Sequence, residues 1–267
     1  NIYTSLPPFP REITLDINNR CNHKCFFCAN PKIEHYDSLD TEIAFDLMKQ
    51  GIENGCTDLA LQATGEPFME KRLPEFVAEG KRLGYEYIYI NTNGALATPK
   101  RAKPVIDAGC DSIKFSINAN NKKEFEEVHG YDDFDKVTEN LKWIYEYRNS
   151  QKIKMGVYVS SVLSSKSKLD YDNINKYIKP FCDNFDLRDV SNQGGSMMEL
   201  NETEEISDID VSQYEWFELL SLELQKTKKS NNGTKLSSHV LDSKLFYYNS
   251  KKSEDQINFP SKKSEER

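Results

Sequence analysis

No apolar run in this 267-residue chain approaches the roughly 20 residues that a membrane-crossing helix needs, and no charged, apolar and small-residue signal segment opens it. The chain therefore reads as cytoplasmic, with no membrane partner. Basic charge is also in short supply. Lys and Arg number 35 against 43 Asp and Glu, a net charge of -8 and a pI of about 5.2, which leaves no positive field to hold a phosphate backbone. Nucleic acid is excluded from the expected partners on that ground. An opening Met is missing as well, so the chain, which begins at Asn1, reads as a fragment or a processed form. What is present is a globular composition: 37% hydrophobic residues, 29% charged, 14 Phe and 14 Tyr, too apolar for a disordered chain.

Charge is unevenly spread. Residues 221–267 hold 10 basic against 6 acidic side chains, so the body is acidic and the tail basic. Between Ser196 and Leu220 stand eight acids and no base, the pattern of a solvated linker or exposed helix face. Three regions are expected: a folded unit over 1–195, an acidic linker or helix over 196–224, and a Ser/Lys/Asn-rich tail over 225–267 that reads as loop or disorder.

Within the first region, short period-two runs alternate with longer helical ones. EITLDI (12–17), DLALQA (58–63), YIYIN (87–91), SIKFSI (112–117), KMGVYV (154–159) and FDLRDV (185–190) read as strands. Asp40 caps a helix carrying Ile43, Ala44, Leu47, Met48 and Ile52; Leu73, Phe76, Val77 and Leu83 line a second, and Thr98–Pro99 opens a third. Phe134, Val137, Leu141, Ile144 and Tyr145 mark the longest helical face, and Ile174, Tyr177, Ile178 and Phe181 the last. Tyr87 and Tyr89 read as barrel packing. Six strands separated by helices imply an α/β fold with a parallel sheet or open barrel, whose chemistry belongs in the loops at the C-terminal strand ends.

The first such loop reads NNRCNHKCFFCAN and places Cys21, Cys25 and Cys28 in a C-x3-C-x2-C spacing. Three soft thiolates in one loop can converge on one metal centre. A structural zinc site wants a fourth ligand, for which His23 is the local candidate, although a residue between two ligands in so tight a turn tends to point elsewhere. A disulfide would leave one thiol over, and a ferredoxin run has C-x2-C spacing throughout. A cubane cluster with three cysteine-held irons and one open iron is what remains.

Position, spacing and intervening residues resemble the radical S-adenosylmethionine (radical SAM) superfamily, in which C-x3-C-x-aromatic-C follows the first barrel strand. The resemblance covers about residues 10–195 and implies a partial (βα)6 barrel, a 4Fe–4S cluster on Cys21, Cys25 and Cys28, and SAM as cofactor. Phe27 takes the aromatic place, whose backbone lies near the SAM adenine. Thr64–Gly65–Glu66–Pro67 looks like the family's glycine-glutamate-proline motif for the SAM amino group, with Thr64 where a Gly is usual. NTNG brings Asn93 to the end of the third strand. Ser116 matches a hydroxyl that contacts SAM, with Asn118 beside it. His129 stands where relatives carry an Arg to the SAM carboxylate. The implied reaction is reductive cleavage of SAM to a 5'-deoxyadenosyl radical that takes hydrogen from a peptide or small-molecule substrate, with a flavodoxin or ferredoxin as reductant.

The chain looks most like the core of members bearing a SPASM extension, but no cysteine follows Cys182 to build one. Cys56, Cys110 and Cys182 each precede a predicted strand, so they belong to the opposite rim as small hydrophobes, and one cluster is expected. The rival reading is a non-catalytic iron–sulfur or zinc module, or a remnant that binds SAM without turnover.

Overall fold

The computed structural model describes residues 9–163 and 171–189. The expected acidic linker and the basic tail lie outside these residues. Six parallel strands run β1 (Glu12–Leu15), β2 (Asp58–Leu61), β3 (Tyr87–Thr92), β4 (Ser112–Ser116), β5 (Gly156–Leu163) and β6 (Asn184–Asp189). Each pairs with the next in the order β1-β2-β3-β4-β5-β6, and β1 and β6 do not pair with each other. The sheet is thus open, as a partial barrel requires. Helices α1 (Thr41–Glu53), α2 (Leu73–Leu83), α3 (Pro99–Asp107), α4 (Lys122–His129), α5 (Phe134–Ser150) and α6 (Tyr171–Tyr177) connect the strands. None of the described helices is long and apolar enough to cross a membrane.

The expected strands and helices are all present, with ends shifted by a few residues. Asp40 caps α1 as predicted, its side chain accepting from the Glu42 and Ile43 N–H groups. One helix was not foreseen. α4 has only eight residues, and its segment KKEFEEVH is so charged that Phe125, Val128 and His129 are its only buried side chains. Asn121 caps it, accepting from the Glu124 N–H at 3.0 Å.

Burial follows strand alternation. Leu59, Leu61, Ile88, Ile90, Ile113, Phe115, Val157 and Val159 are sealed in one core with Phe76, Val77, Val105, Val137, Leu141 and Ile144 of the helices. The opposite sheet face is polar. There Tyr89 donates to Glu12 Oε1 at 3.0 Å, and the Tyr87 and Ser112 hydroxyls lie 2.6 Å apart. Tyr87 and Tyr89, expected as barrel packing, therefore stand on the open face, with ring centroids 5.9 Å apart. Their phenol groups find polar partners there.

The three remaining cysteines sit just before β2, β4 and β6. Cys56 and Cys110 are buried, with Sγ donating to Pro10 O at 2.9 Å and to Ser112 O at 3.2 Å. Cys182 Sγ meets Lys179 O at 3.9 Å. All three lie at N-terminal strand ends, away from the loop that carries the other thiols.

One ion pair braces the rim above β2. Glu70 accepts from Arg72 Nε at 2.9 Å and from its Nη2 at 2.8 Å, while Arg72 reaches on to Thr41 Oγ1 and Leu39 O at the start of α1. The hydrogen-bonded guanidinium holds the Glu70 carboxyl at about 2, below its ordinary 4.5. A depressed folded-state value contributes stability above the ordinary pKa and loses it as pH falls toward the depressed one. Glu70→Gln should cost about 1.5–3 kcal/mol at neutral pH. The gap from the wild type should close as pH falls from 4.5 toward 2. Denaturant titrations across that range check this, and a pH-independent gap would reject it.

Candidate functional site: the cysteine loop and the strand ends around it

The loop after β1 is held by its neighbours on both sides. Toward β2, Glu66 N–H donates to Arg20 O at 2.7 Å, and Asn18 Nδ2 donates to Glu66 O at 3.1 Å. Asn30 Nδ2 ties Asn19 O and Thr64 O, both at 2.8 Å. The approach is so close that a Cβ on Gly65 would meet Asn18 O at 2.2 Å, so only glycine fits. Thr64, in the place of a usual glycine, instead bonds the Asp16 carboxylate through its hydroxyl.

Toward α4, Lys24 N–H donates to His129 O at 2.9 Å and Phe26 N–H to Val128 O at 3.1 Å. Gly130, with φ +77°, turns the chain out of α4 so that its backbone lies against Lys24. Cys25 stands between these two bonds, and a turn from Cys28 N–H to Cys25 O, 3.0 Å, brings the third cysteine round.

Each of the three sulfurs faces N–H donors. Cys21 Sγ is met by His23 N–H at 3.5 Å and Asn93 Nδ2 at 3.7 Å, Cys28 Sγ by Asn30 N–H at 3.4 Å, and Cys25 Sγ by His129 Nδ1 at 3.3 Å. Burial pushes the Cys21 and Cys25 thiols up from their ordinary range. The other thiols of the set push Cys25 further. Three thiolates packed this way repel one another, and a bound cationic centre is what lets them ionise together.

A family model described as the Radical SAM superfamily matches residues 15–159. The chain belongs to the radical SAM superfamily. Its relatives include proteins named probable GTP 3',8-cyclase: that of Sulfurisphaera tokodaii is 29% identical over 167 residues, 61% of this chain and 50% of the relative. That of Saccharolobus solfataricus is 32% identical over 133 residues, 49% and 42% of the two chains. The chain spans about half the length of the curated relatives it matches. Among solved structures, Streptococcus suis SuiB bound to S-adenosylmethionine superposes with a TM-score of 0.61 at 18% identity, over 83% of this chain and 48% of that one, a likeness of fold.

Membership brings a 4Fe–4S cluster and SAM as the cofactors of this superfamily fold. The donor set fits the cluster: three soft sulfurs share one loop, close enough for Cys28 and Cys21 to act electrostatically on Cys25, and the polar hydrogens around them point at sulfur, as they do around thiolate ligands. His23, the local candidate for a fourth ligand, stands beside Cys25: a ring nitrogen lies within 4.8 Å of the Cys25 sulfur and of a His129 nitrogen, and its buried Nδ1 meets no hydrogen-bond partner. It is 2% exposed and bonds Asp133 Oδ2 through Nε2 at 3.0 Å.

The other expected site residues fall at the same rim, with two differences. Phe27 is half-buried in the cysteine loop beside Phe26. Asn93 N–H donates to Glu66 Oε2 at 2.8 Å, and its Nδ2 to Asn22 Oδ1 at 2.9 Å. Ser116 ends β4, and Asn118, buried just beyond, accepts from Val162 N–H at 2.7 Å. Pro67 begins a single 3-10 turn, Pro67–Met69.

Glu66 is the first difference. The resemblance implies that the backbone and carboxylate side of this motif meet the SAM amino group; here the Glu66 side chain is turned inward and 2% exposed, which leaves the backbone for that role. Oε1 accepts from Phe68 N–H at 3.0 Å and Thr92 Oγ1 at 2.6 Å, and Oε2 from Asn93 N–H. Burial pushes the carboxyl up and these three donors pull it back. The donors claim both oxygens, so the side chain serves as a latch between the ends of β2 and β3. His129 is the second difference: it is 1% exposed and has both ring nitrogens engaged inside the chain.

Sequence reasoning missed Asn18, Asn30 and Thr92, which tie the loops together. Lone polar residues in loops carry no periodic signal that would single them out.

Glu66→Ala should leave three buried donors without an acceptor and cost at least about 2 kcal/mol. Chemical denaturation of the purified variant checks this; an unchanged midpoint would reject the latch.

Proposed function

We propose that the thiolates of Cys21, Cys25 and Cys28 hold the 4Fe–4S cluster with one iron left open. In this reading SAM lies against that iron, between the backbone of Gly65, Glu66 and Pro67 and the residues Phe27, Asn93, Ser116 and Asn118. When bound, the cluster and SAM supply SAM-dependent radical chemistry, with methionine and 5'-deoxyadenosine as cleavage products. The observation that carries the reading is the meeting of all three sulfurs with N–H donors on one rim of the sheet.

The chain's own task is to orient and to keep water out. Behind the sulfurs stands an aromatic wall: His23 packs edge-on to Phe125 at 5.7 Å and stacks with Tyr131 at 6.0 Å. Asn91 Oδ1 at the end of β3 is buried and meets no donor, which offers an acceptor to a ligand N–H or O–H. The open sheet face beneath supports a polar substrate, peptide or small molecule, because it presents Glu12, Tyr87, Tyr89 and Lys114. Burial, then the Arg188 charge, pushes the Lys114 ammonium down from its ordinary range, and Asp186, 4.0 Å away, pulls it back.

A flavodoxin or ferredoxin as electron donor and a cytoplasmic setting belong to the same proposal. So does a folded unit ending near residue 195, which the last described strand, ending at Asp189, supports.

Anaerobic reconstitution with iron and sulfide, then dithionite and SAM, should give about four irons per chain and release 5'-deoxyadenosine, read by chromatography. Ala at Cys21, Cys25 or Cys28 should abolish both. Full iron in the triple variant of these three would sink the assignment. Ala at Cys56, Cys110 and Cys182 together should leave about four irons.

A further inference from the structure

His129 is a buried imidazole whose hydrogen position is decided by its neighbours. Asn118 N–H lies 3.3 Å from Nε2, and a backbone N–H can only donate. The Asn118 side chain agrees. Its Oδ1 accepts from Val162 N–H at 2.7 Å, which turns its Nδ2 toward the same Nε2 at 3.4 Å, as a second donor. Nε2 is therefore an acceptor, and the ring proton sits on Nδ1. Nδ1 lies 3.3 Å from Cys25 Sγ. The ring is also clamped: it stacks on Phe125 with centroids 4.0 Å apart and planes 10° apart, and its own backbone oxygen accepts from Lys24 N–H.

We infer that His129 is a positioning residue that donates Nδ1–H to the Cys25 thiolate and thereby sets the reduction potential of the cluster, and does not meet the SAM carboxylate. The inference rests on the reading of Cys25 as a cluster ligand. A donor on a ligating sulfur stabilises the more negative, reduced cluster. Removing the donor lowers the potential. The relay Val162 N–H, Asn118, His129, Cys25 runs from β5 across the end of β4 to the cysteine loop, so the core of the sheet dictates the tautomer.

The test uses the anaerobically reconstituted full chain in three forms, wild type, His129→Phe and His129→Gln, with spectroscopic redox titration, iron analysis and SAM affinity by calorimetry. Phe keeps the stack on Phe125 and removes the donor, whereas Gln retains an amide donor. His129→Phe should load iron normally while its one-electron reduction equilibrium shifts about tenfold toward the oxidised form, a midpoint about 59 mV more negative. His129→Gln should recover at least half of that shift. An unchanged midpoint in His129→Phe, or a Gln variant no better than Phe, would overturn the inference. Loss of SAM affinity at an unchanged midpoint would return His129 to the SAM carboxylate.

Should His129→Phe fold poorly or load no iron, pulsed EPR decides the matter. In [15N]His-labelled His23→Phe protein, whose remaining site histidine is His129, the reduced cluster should show a weak nitrogen coupling, and its absence overturns the proposal. A wild type that loads no cluster at all defeats the underlying ligand reading, which the iron analysis reports separately.

Discussion

Glu66 is the residue on which the rim depends. Its carboxylate gathers Phe68, Thr92 and Asn93, while its backbone N–H and C=O bind Arg20 and Asn18 of the cysteine loop. One residue, through its side chain and its backbone, thus joins the chain that follows β1 to the ends of β2 and β3. An acidic group so deeply buried is tolerable only when donors surround it, and here all three come from the segments it must hold. Gly65 next to it is constrained for the same reason, because the two loops touch backbone to backbone.

Much of this was legible before any coordinates. Ile13, Leu15 and Ile17, like Ile113, Phe115 and Ile117, announce their strands by alternation, and a parallel sheet places their C-terminal ends together whatever the details. The cysteine spacing and the TGEP and NTNG segments stand at those ends, so the location of the site follows. Helix α4 was not legible, because its eight residues carry too few apolar positions for a period to emerge; Asn121 and Gly130 were the available signals. Orientation was harder still. Whether a carboxylate at a strand end turns out to a ligand or in to the backbone depends on which N–H groups stand beside it. That of Phe68 is local, in the turn that Glu66 caps, whereas that of Asn93 is brought to Glu66 by the fold.

The two sheet faces divide the labour. The helix side is sealed hydrocarbon, and the open side is hydrogen-bonding surface framed by Tyr87, Tyr89 and Glu12. The same alternation that builds the core supplies the polar open face, since every second residue must leave the core. Chemistry at the rim is then held by loops that the core has already fixed.

The strand order has a kinetic consequence. Each described strand pairs with its immediate successor, so every pairing closes a loop that spans a single connection and never reaches across the sheet. Closure entropy grows with loop length, and folding slows as contacts become more distant along the chain. A parallel sheet built by nearest neighbours can add one strand at a time to any pair that forms first. The cysteine loop, by contrast, is completed only when α4 docks on it, three strands later in the chain. Assembly of the thiolate set should therefore wait until the strands between β1 and α4 have paired.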